Sequence, residues 1–176
     1  LMRQALDGRP DAWLRVSLFA PEISNREPHW VGRPRVMVGV FDPPVPLADG
    51  VRLQSQPYER EAAELKHAAT FGLLRARRAA RQAGFGDALF VDRAGRISEG
   101  TLWNIGFIEG DGVVWPEAEM LHGVAQALIQ AGLDGAGISQ RTQAVRVSDL
   151  TRFDGAFLCN SATPAAEIAA IDAHVF

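Results

Sequence analysis

Apolar and polar positions alternate along several short segments of this chain, which is the pattern of β-strands. Two such segments come early, at 13–19 and 35–41. Further strands are predicted at 51–55, 88–92, 96–99, 103–108, 113–115, 140–147, 155–159 and 165–171. Glycine-containing turns at 93–95 and 109–112 favour hairpins, so the four strands between 88 and 115 are expected to form an antiparallel meander.

Helical segments are predicted between these strands. The segment 69–83 is rich in alanine, leucine and arginine, which are good helix formers, and Gly84 ends it. A second helix is predicted at 123–131, ended by Gly132. The order of elements predicts a mixed α/β fold with a largely antiparallel sheet.

A proline-rich segment at 42–50, closed by Asp49-Gly50, is predicted to be a linker. It divides the chain into domains at 1–50 and 51–176. The chain opens with a helical pattern that has no cap before it, and a strand pair follows. We therefore expect residues 1–50 to be the C-terminal part of a small α+β domain whose beginning lies upstream.

Composition argues against two classes, nucleic-acid-binding proteins and membrane-spanning proteins. The chain has 176 residues, 47% of them hydrophobic, and a net charge of −3, which argues against nucleic acid as the main partner. The arginines at 75–81 are interpreted as a solvated helix face. Cys159, the only cysteine, lies in an apolar run, so we expect it to be buried in a reducing compartment, the cytoplasm. No segment has the length and apolarity of a membrane span.

Lys66 is the only lysine among 18 basic residues. An arginine guanidinium stays charged, whereas a lysine amine can become neutral and attack a carbonyl to form a Schiff base. The alternative is that Lys66 has no chemical role and is the one lysine left by chance in a chain whose composition favours arginine. The hypothesis that Lys66 is catalytic therefore depends on the residues that follow it.

Three short segments after Lys66 carry polar groups at the ends of predicted elements. Glu99 follows a strand and precedes Gly100-Thr101, an arrangement also found in ordinary exposed turns. Gly123 begins a helix, where free backbone N–H groups can bind an anion, although many such helices bind nothing. The polar pair Asn160-Ser161 follows a buried strand.

The order and spacing of these segments resemble the class IV aminotransferase family, the fold-type IV enzymes that use pyridoxal 5′-phosphate. The resemblance covers about 51–171, and its most specific block is 84–105, which contains Ser98-Glu99-Gly100 followed by Asn104. That family includes branched-chain and D-amino-acid aminotransferases and aminodeoxychorismate lyases. The resemblance implies a fold-type IV cofactor-binding domain at 51–176.

The resemblance also implies a role for each matching residue. Lys66 would form the Schiff base with the cofactor and act as the base, and Glu99 would pair with the pyridine nitrogen. Asn104 would brace Glu99, and Leu121 would pack on the cofactor ring. The phosphate would be bound by the backbone of Gly123, Val124 and Ala125 and by the hydroxyl of Ser161.

Some positions depart from the family pattern. Phe71 stands where branched-chain enzymes have a tyrosine five residues after the lysine, and Ala125 stands where a threonine is usual. The usual Gly-Thr pair is Asn160-Ser161 here, and Lys66-His67 looks more like the lyase branch. The family's phosphate-binding arginine belongs to a region upstream of this chain.

Three functions stay open at this point. The first is transfer of an amino group between an amino acid and a 2-keto acid. The second is aminodeoxychorismate lyase activity, which releases pyruvate and leaves 4-aminobenzoate. The third is a truncated fold-type IV domain without catalysis. The resemblance also implies a homodimer with active sites near the subunit interface.

Overall fold

The computed structural model describes residues 1–29 and 31–176, which form two compact units, Leu1–Val45 and Pro46–Phe176. In the first unit, helix α1 (Met2–Leu6) is followed by strands β1 (Trp13–Phe19) and β2 (Arg35–Phe41). These two strands form an antiparallel pair in which Trp13 lies opposite Phe41. The two strands predicted in this region are confirmed.

The second unit holds the remaining elements. Its helices are α2 (Phe71–Gln82), α3 (Val124–Gly135) and a 3₁₀ helix (Val147–Arg152). Its strands are β3 (Val51–Pro57), β4 (Asp87–Val91), β5 (Ile97–Gly100), β6 (Asn104–Glu109), β7 (Gly112–Pro116), β8 (Gln140–Gln143), β9 (Gly155–Cys159), β10 (Ala166–Ile171) and β11 (His174–Val175).

The strands of the second unit form one nine-stranded sheet in the order β5-β4-β3-β10-β9-β6-β7-β8, with β11 beside β10. The pairs β3–β10, β3–β4 and β7–β8 are parallel, and the other five pairs are antiparallel. The predicted fold class is confirmed: the unit is mixed α/β with a largely antiparallel sheet.

The predicted four-stranded meander is wrong. β4 pairs with β5, and β6 pairs with β7, but β3, β10 and β9 lie between the two hairpins. The turns at 93–95 and 109–112 do form, because they depend on local glycine geometry. The order of the hairpins in the sheet depends instead on pairing with strands from distant parts of the chain.

The largest core cluster lies on the sheet and buries side chains from most of its strands, including Leu53, Ile105, Phe107, Leu158 and Ile168. Trp103 and Trp115 are also buried. Cys159 is fully buried, as predicted, and burial raises the pKa of its thiol to about 11.

Helix α2 packs an apolar face on the sheet. It places Leu73, Ala76 and Ala80 against Ala88 and Phe90 of β4. The arginines of this helix are on its exposed side, except that Arg77 reaches the carboxylate of Asp87.

Helix α3 packs Ala125, Ile129 and Leu133 against Trp115 and Cys159. Its predicted end at Gly132 is wrong, because the helix continues to Gly135. A glycine inside a helix costs only about 1 kcal/mol, and the burial of Leu133 on the sheet offsets that cost.

No helix in the described parts of the chain combines the length and apolar character that a bilayer span requires.

Candidate functional site

Lys66 lies in the loop between β3 and α2, and its side chain is exposed. We call the segment 60–69 the lysine loop. The ring of His67 links two backbone groups of this loop: its Nδ1 accepts a hydrogen bond from the Ala69 N–H at 3.1 Å, and its Nε2 lies 2.9 Å from the Glu61 carbonyl oxygen. Because Nδ1 accepts a hydrogen bond, the ring N–H is at Nε2, and it donates a hydrogen bond to the carbonyl oxygen of Glu61.

Glu99 lies on β5 and is 5% exposed. Its Oε1 accepts a hydrogen bond from Nη1 of Arg60 at 3.3 Å, and its Oε2 accepts one from the Leu121 N–H at 3.4 Å. Burial raises the pKa of Glu99 above its ordinary value of 4.5, while Arg60, the Leu121 hydrogen bond and the charge of Lys66 act to lower it.

A buried carboxylate holds the turn that follows Glu99. Asp87 is 3% exposed, and its two oxygens accept hydrogen bonds from the Thr101 hydroxyl, from Nε1 of Trp103 and from the Ala88 N–H. Nε of Arg77 lies 3.6 Å from Oδ2. This network fixes the residues that leave β5 and therefore fixes the end of the strand that carries Glu99.

Asn104 connects the sheet to the segment that precedes α3. It is 5% exposed, and its Nδ2 donates a 2.8 Å hydrogen bond to the carbonyl of Leu121. The Leu121 N–H bonds to Glu99. The backbone of Leu121 is thus hydrogen-bonded to the side chains of both Glu99 and Asn104, and the three residues form a continuous chain of contacts.

The first turn of α3 begins at Gly123, which has an extended backbone at φ −70° and ψ 140°. The first intrahelical bond of this turn runs from the Ala127 N–H to the Gly123 carbonyl. The N–H groups of Val124, Ala125 and Gln126 precede it and have no acceptor inside the helix. Such a group of donors at the positive end of a twelve-residue helix suits a phosphate or carboxylate.

Ser161 is exposed in the turn that follows β9, which we call the serine turn. Asn160 shapes this turn, because its Oδ1 accepts hydrogen bonds from the N–H groups of Ala162 and Thr163 at 2.9 and 2.8 Å. Its Nδ2 donates to the Leu102 carbonyl at 3.3 Å. Asn104 pairs with Cys159 in the sheet, so the serine turn lies at the β6 end that carries Asn104.

The contacts of the eight predicted site residues divide them into two sets. Glu99, Leu121, Asn104 and Gly123 form one contiguous group, and residues 124–125 continue it into α3. Lys66 and Ser161 make no hydrogen bond to this group in the described residues. Residues near them in the chain do contact it: Arg60 bonds to Glu99 and to the Leu65 carbonyl, and Cys159 pairs with Asn104. The assignment of all eight to a cofactor stays a prediction.

Sequence reasoning predicted no contact for three side chains of this region: Arg60, Asp87 and His67. Arg60 and Asp87 make their contacts with residues far along the chain, so no local pattern shows these contacts. His67 had a local signal, because a histidine directly after the candidate lysine can bond to the backbone of the same loop.

The residues present fit a group that carries a phosphate and a pyridine ring. The fit rests on a buried carboxylate that already has a cationic partner, on free helix N–H groups and on Gly123, where a Cβ atom would overlap Oδ1 of Asn104. The alanine at 125 offers no hydroxyl, and Phe71 is exposed and offers none either.

Comparison with known proteins bears on the family and the fold of the chain. The model of the family described as amino-transferase class IV matches residues 33–171. No curated protein sequence matches the chain significantly.

Several solved structures have a similar fold. A candidate 4-amino-4-deoxychorismate lyase from Legionella pneumophila has a TM-score of 0.86 at 21% identity, over 98% of this chain and 67% of the other. The branched-chain aminotransferase of Thermoproteus uzoniensis has a TM-score of 0.83 at 20% identity, over 94% and 59% of the two chains.

A third similar structure contains a cofactor form. The T.th. branched-chain aminotransferase with pyridoxamine 5′-phosphate has a TM-score of 0.79 at 19% identity, over 92% of this chain and 57% of the other. The chain thus spans between 57% and 67% of the length of these three proteins.

Proposed function

Because the chain belongs to the class IV aminotransferase family, we propose that it binds pyridoxal 5′-phosphate at Lys66 and transfers an amino group between an amino acid and a 2-keto acid. The family consists of pyridoxal-phosphate-dependent enzymes. The observation that carries the proposal is the buried carboxylate of Glu99, which accepts from the Leu121 N–H, while Asn104 of β6 donates to the Leu121 carbonyl just before α3.

When bound, the cofactor supplies an aldehyde that condenses with amines and a ring that accepts electrons. Nζ of Lys66 would hold the cofactor and, when free, would take a proton from the substrate Cα. Its exposure in the lysine loop leaves this amine accessible to an incoming group.

Glu99 would face the pyridine nitrogen. A carboxylate next to that nitrogen favours its protonated, cationic form, because opposite charges stabilise each other. Burial strengthens this interaction, since little water is present to screen it. Asn104 keeps the Leu121 carbonyl in place and so maintains the geometry of the segment that leads into α3.

The phosphate would lie at the first turn of α3. The N–H groups of Val124 and Ala125 have no intrahelical acceptor, so they are available as donors. Ser161 would add a hydroxyl from the serine turn. Because residue 125 has no hydroxyl, the helix N-terminus and Ser161 would be the phosphate donors among the predicted site residues.

Release of pyruvate from aminodeoxychorismate is the second candidate reaction. It is favoured by the similarity to the candidate lyase of Legionella pneumophila and by the Lys66-His67 pair. The same residues would serve it, with Lys66 as the base. Transamination with several amino donors, together with no pyruvate release from aminodeoxychorismate, would exclude the lyase reaction.

A homodimer is the expected assembly. The supporting observation is the exposure of apolar side chains on both α-helices of the second unit, such as Phe71 and Leu74 on α2 and Val124 and Leu128 on α3. Exposed apolar surface of this kind often marks an interface between subunits. Light scattering coupled to gel filtration measures the mass, and a monomer at all concentrations would exclude a dimer.

Borohydride trapping tests the proposed cofactor. The chain is incubated with pyridoxal 5′-phosphate, reduced and digested, and the adduct is located by mass spectrometry. We expect the adduct on the peptide that contains Lys66, because Lys66 is the only lysine in the sequence, so that apart from it only an N-terminal α-amine can react. The matched control is Lys66→Arg, which keeps the charge and cannot be attached.

An adduct confined to the α-amine of a folded chain would refute the proposal and favour the third candidate, a fold-type IV domain without catalysis.

A further inference from the structure

Arg60 has a buried guanidinium that contacts both sides of the proposed site. Its side chain is 6% exposed. Nη1 donates to Oε1 of Glu99 at 3.3 Å, and Nη2 donates to the carbonyl oxygen of Leu65 at 2.9 Å. Leu65 immediately precedes Lys66. One side chain therefore links the buried carboxylate to the backbone of the lysine loop.

Burial makes these two contacts important. A guanidinium keeps its charge at any ordinary pH, and a buried charge requires a partner. Glu99 is the carboxylate that meets Arg60, and the Leu65 carbonyl accepts a second of its five donors. Nε of Arg60 is buried without a hydrogen-bond partner, so the two Nη groups carry its polar contacts among the described residues.

The position of Arg60 at the start of the lysine loop gives these contacts their effect. β3 ends at Pro57 and α2 begins at Phe71, so Lys66 lies on a connection that has no regular structure. The ring of His67 braces the loop against itself. Arg60, in contrast, ties the loop to β5 of the sheet.

We propose that Arg60 is a positioning residue of the site, which fixes the backbone next to Lys66 and orients the carboxylate of Glu99 at the same time. This inference rests on the proposed function for its meaning in catalysis. The contacts themselves exist without cofactor, so they can be tested in the unloaded chain.

Endoproteinase Lys-C supplies a site-specific probe of the lysine loop. It cleaves after lysine, and because Lys66 is the only lysine it can cut this chain at one place. The rate of cleavage of the native chain then measures how often this loop opens. Arg60→Gln is compared with wild type, and the matched control is Arg78→Gln on the exposed side of α2.

We expect Arg60→Gln to be cleaved about tenfold faster than wild type, since it loses a charge-assisted contact with Glu99 and a contact with the Leu65 carbonyl. Arg78→Gln is expected to be cleaved at the wild-type rate. The melting temperature and circular dichroism of both variants establish that each chain is folded.

Glu99→Gln completes the test. It weakens the contact that holds Arg60, so we expect severalfold faster cleavage. We expect the double variant Arg60→Gln/Glu99→Gln to be cleaved no faster than Arg60→Gln, because both changes break the same connection. Independent, multiplicative effects would overturn the proposal. If Arg60→Gln does not fold, unchanged cleavage of Glu99→Gln overturns it equally.

A second measurement separates positioning from general support of the fold. The carboxyl carbon of Glu99 is followed by NMR through a pH titration, with Glu99→Gln identifying its resonance. The charge of Arg60 lowers the pKa of this carboxyl, so Arg60→Gln should raise it while Arg78→Gln leaves it unchanged. The same pKa in wild type and Arg60→Gln would refute the part of the proposal that concerns Glu99.

The two proposals fail in different ways. If the cofactor does not attach to Lys66, the trapping experiment fails while the cleavage and NMR results stand. If Arg60 has no positioning role, cleavage stays within about twofold of wild type while attachment of the cofactor proceeds.

Discussion

Oδ1 of Asn104 occupies the space that a side chain at Gly123 would need. Nδ2 of the same amide is held by the Leu121 carbonyl at 2.8 Å, so Asn104 cannot turn away without losing that bond. Gly123 is therefore required here because of close packing, since its φ of −70° is available to any residue. The position of the Asn104 side chain therefore requires a glycine at 123, and a larger residue at 123 would displace that side chain.

Gly123→Ala is expected to destabilise the fold by about 1–3 kcal/mol, the range found for overpacked interiors. It should also weaken binding of pyridoxal 5′-phosphate, because the start of α3 must shift. Urea denaturation measures the first effect and absorbance titration the second. The matched control is Gly132→Ala in the same helix, where a Cβ atom meets no atom within 4 Å. That variant should gain about 0.5–1 kcal/mol. Equal stability of the two variants would contradict the packing argument.

Asp87→Asn is expected to cost about 1–3 kcal/mol, because an amide nitrogen replaces one of the buried oxygens that accept from Thr101 and Trp103. Urea denaturation followed by tryptophan fluorescence measures the loss. Glu117→Gln, a change at an exposed carboxylate beside β7, serves as control and should stay within about 0.5 kcal/mol of wild type. A loss that is no larger for Asp87→Asn than for Glu117→Gln would show that the network contributes little.

The stability of the chain should depend on pH through Glu99. Burial raises the pKa of this carboxyl above 4.5 in the folded state, so the folded chain holds the proton more tightly than the unfolded chain does. The stability that this proton contributes is fully present below the unfolded-state pKa and is lost as pH rises through the folded-state pKa.

The measurement is the difference in free energy of unfolding between wild type and Glu99→Gln, taken at steps from about pH 4.5 to about pH 8, the range in which a raised carboxyl pKa would act. The other groups titrate in both proteins and cancel in the difference. We expect the stability of wild type relative to the variant to fall as pH rises. A difference that rises with pH would mean that Arg60 and Lys66 outweigh burial at Glu99.

Cys159 should resist alkylation in the folded chain. Its thiol is fully buried and burial raises its pKa to about 11, so at pH 8 roughly one thiol in a thousand is ionised, and the thiolate is the reactive form. Mass spectrometry after treatment with iodoacetamide should find no modification of the native chain and complete modification in urea. Rapid alkylation of the native chain would show that β9 is open to solvent.

The sequence predicted elements best where local chemistry decides them. β1, β2 and β9 begin and end at the predicted residues, because alternation or an apolar run between turn residues marks them. The end of α3 was predicted wrongly at Gly132, since the sequence does not show that Leu133 packs on the sheet. The position of the two hairpins in the sheet has no local signal either, because β3, β10 and β9 separate them.

The residues of the candidate site also differ in whether a local sequence signal marks them. Lys66 and Glu99 stand out in the sequence, one as the only lysine and the other in a recognisable block. Arg60 does not, although it touches both of their segments, because its contact with Glu99 joins residues 39 positions apart. Contacts of this kind arise from the arrangement of strands, which a single sequence does not reveal.

The interior strand β3 has consequences for how a newly made chain reaches this structure. Its Leu53 pairs with Ile171 of β10, and the Ser55 N–H donates to Oδ1 of Asp172, a contact between residues 117 positions apart. β3 therefore leaves the ribosome long before one of its two neighbours exists. Such distant pairing slows folding, and a strand with an unpaired edge can pair with strands of other nascent chains. The proposed cofactor site, which includes residues from 66 to 161, can therefore be completed only after β10 has been synthesised and has paired with β3.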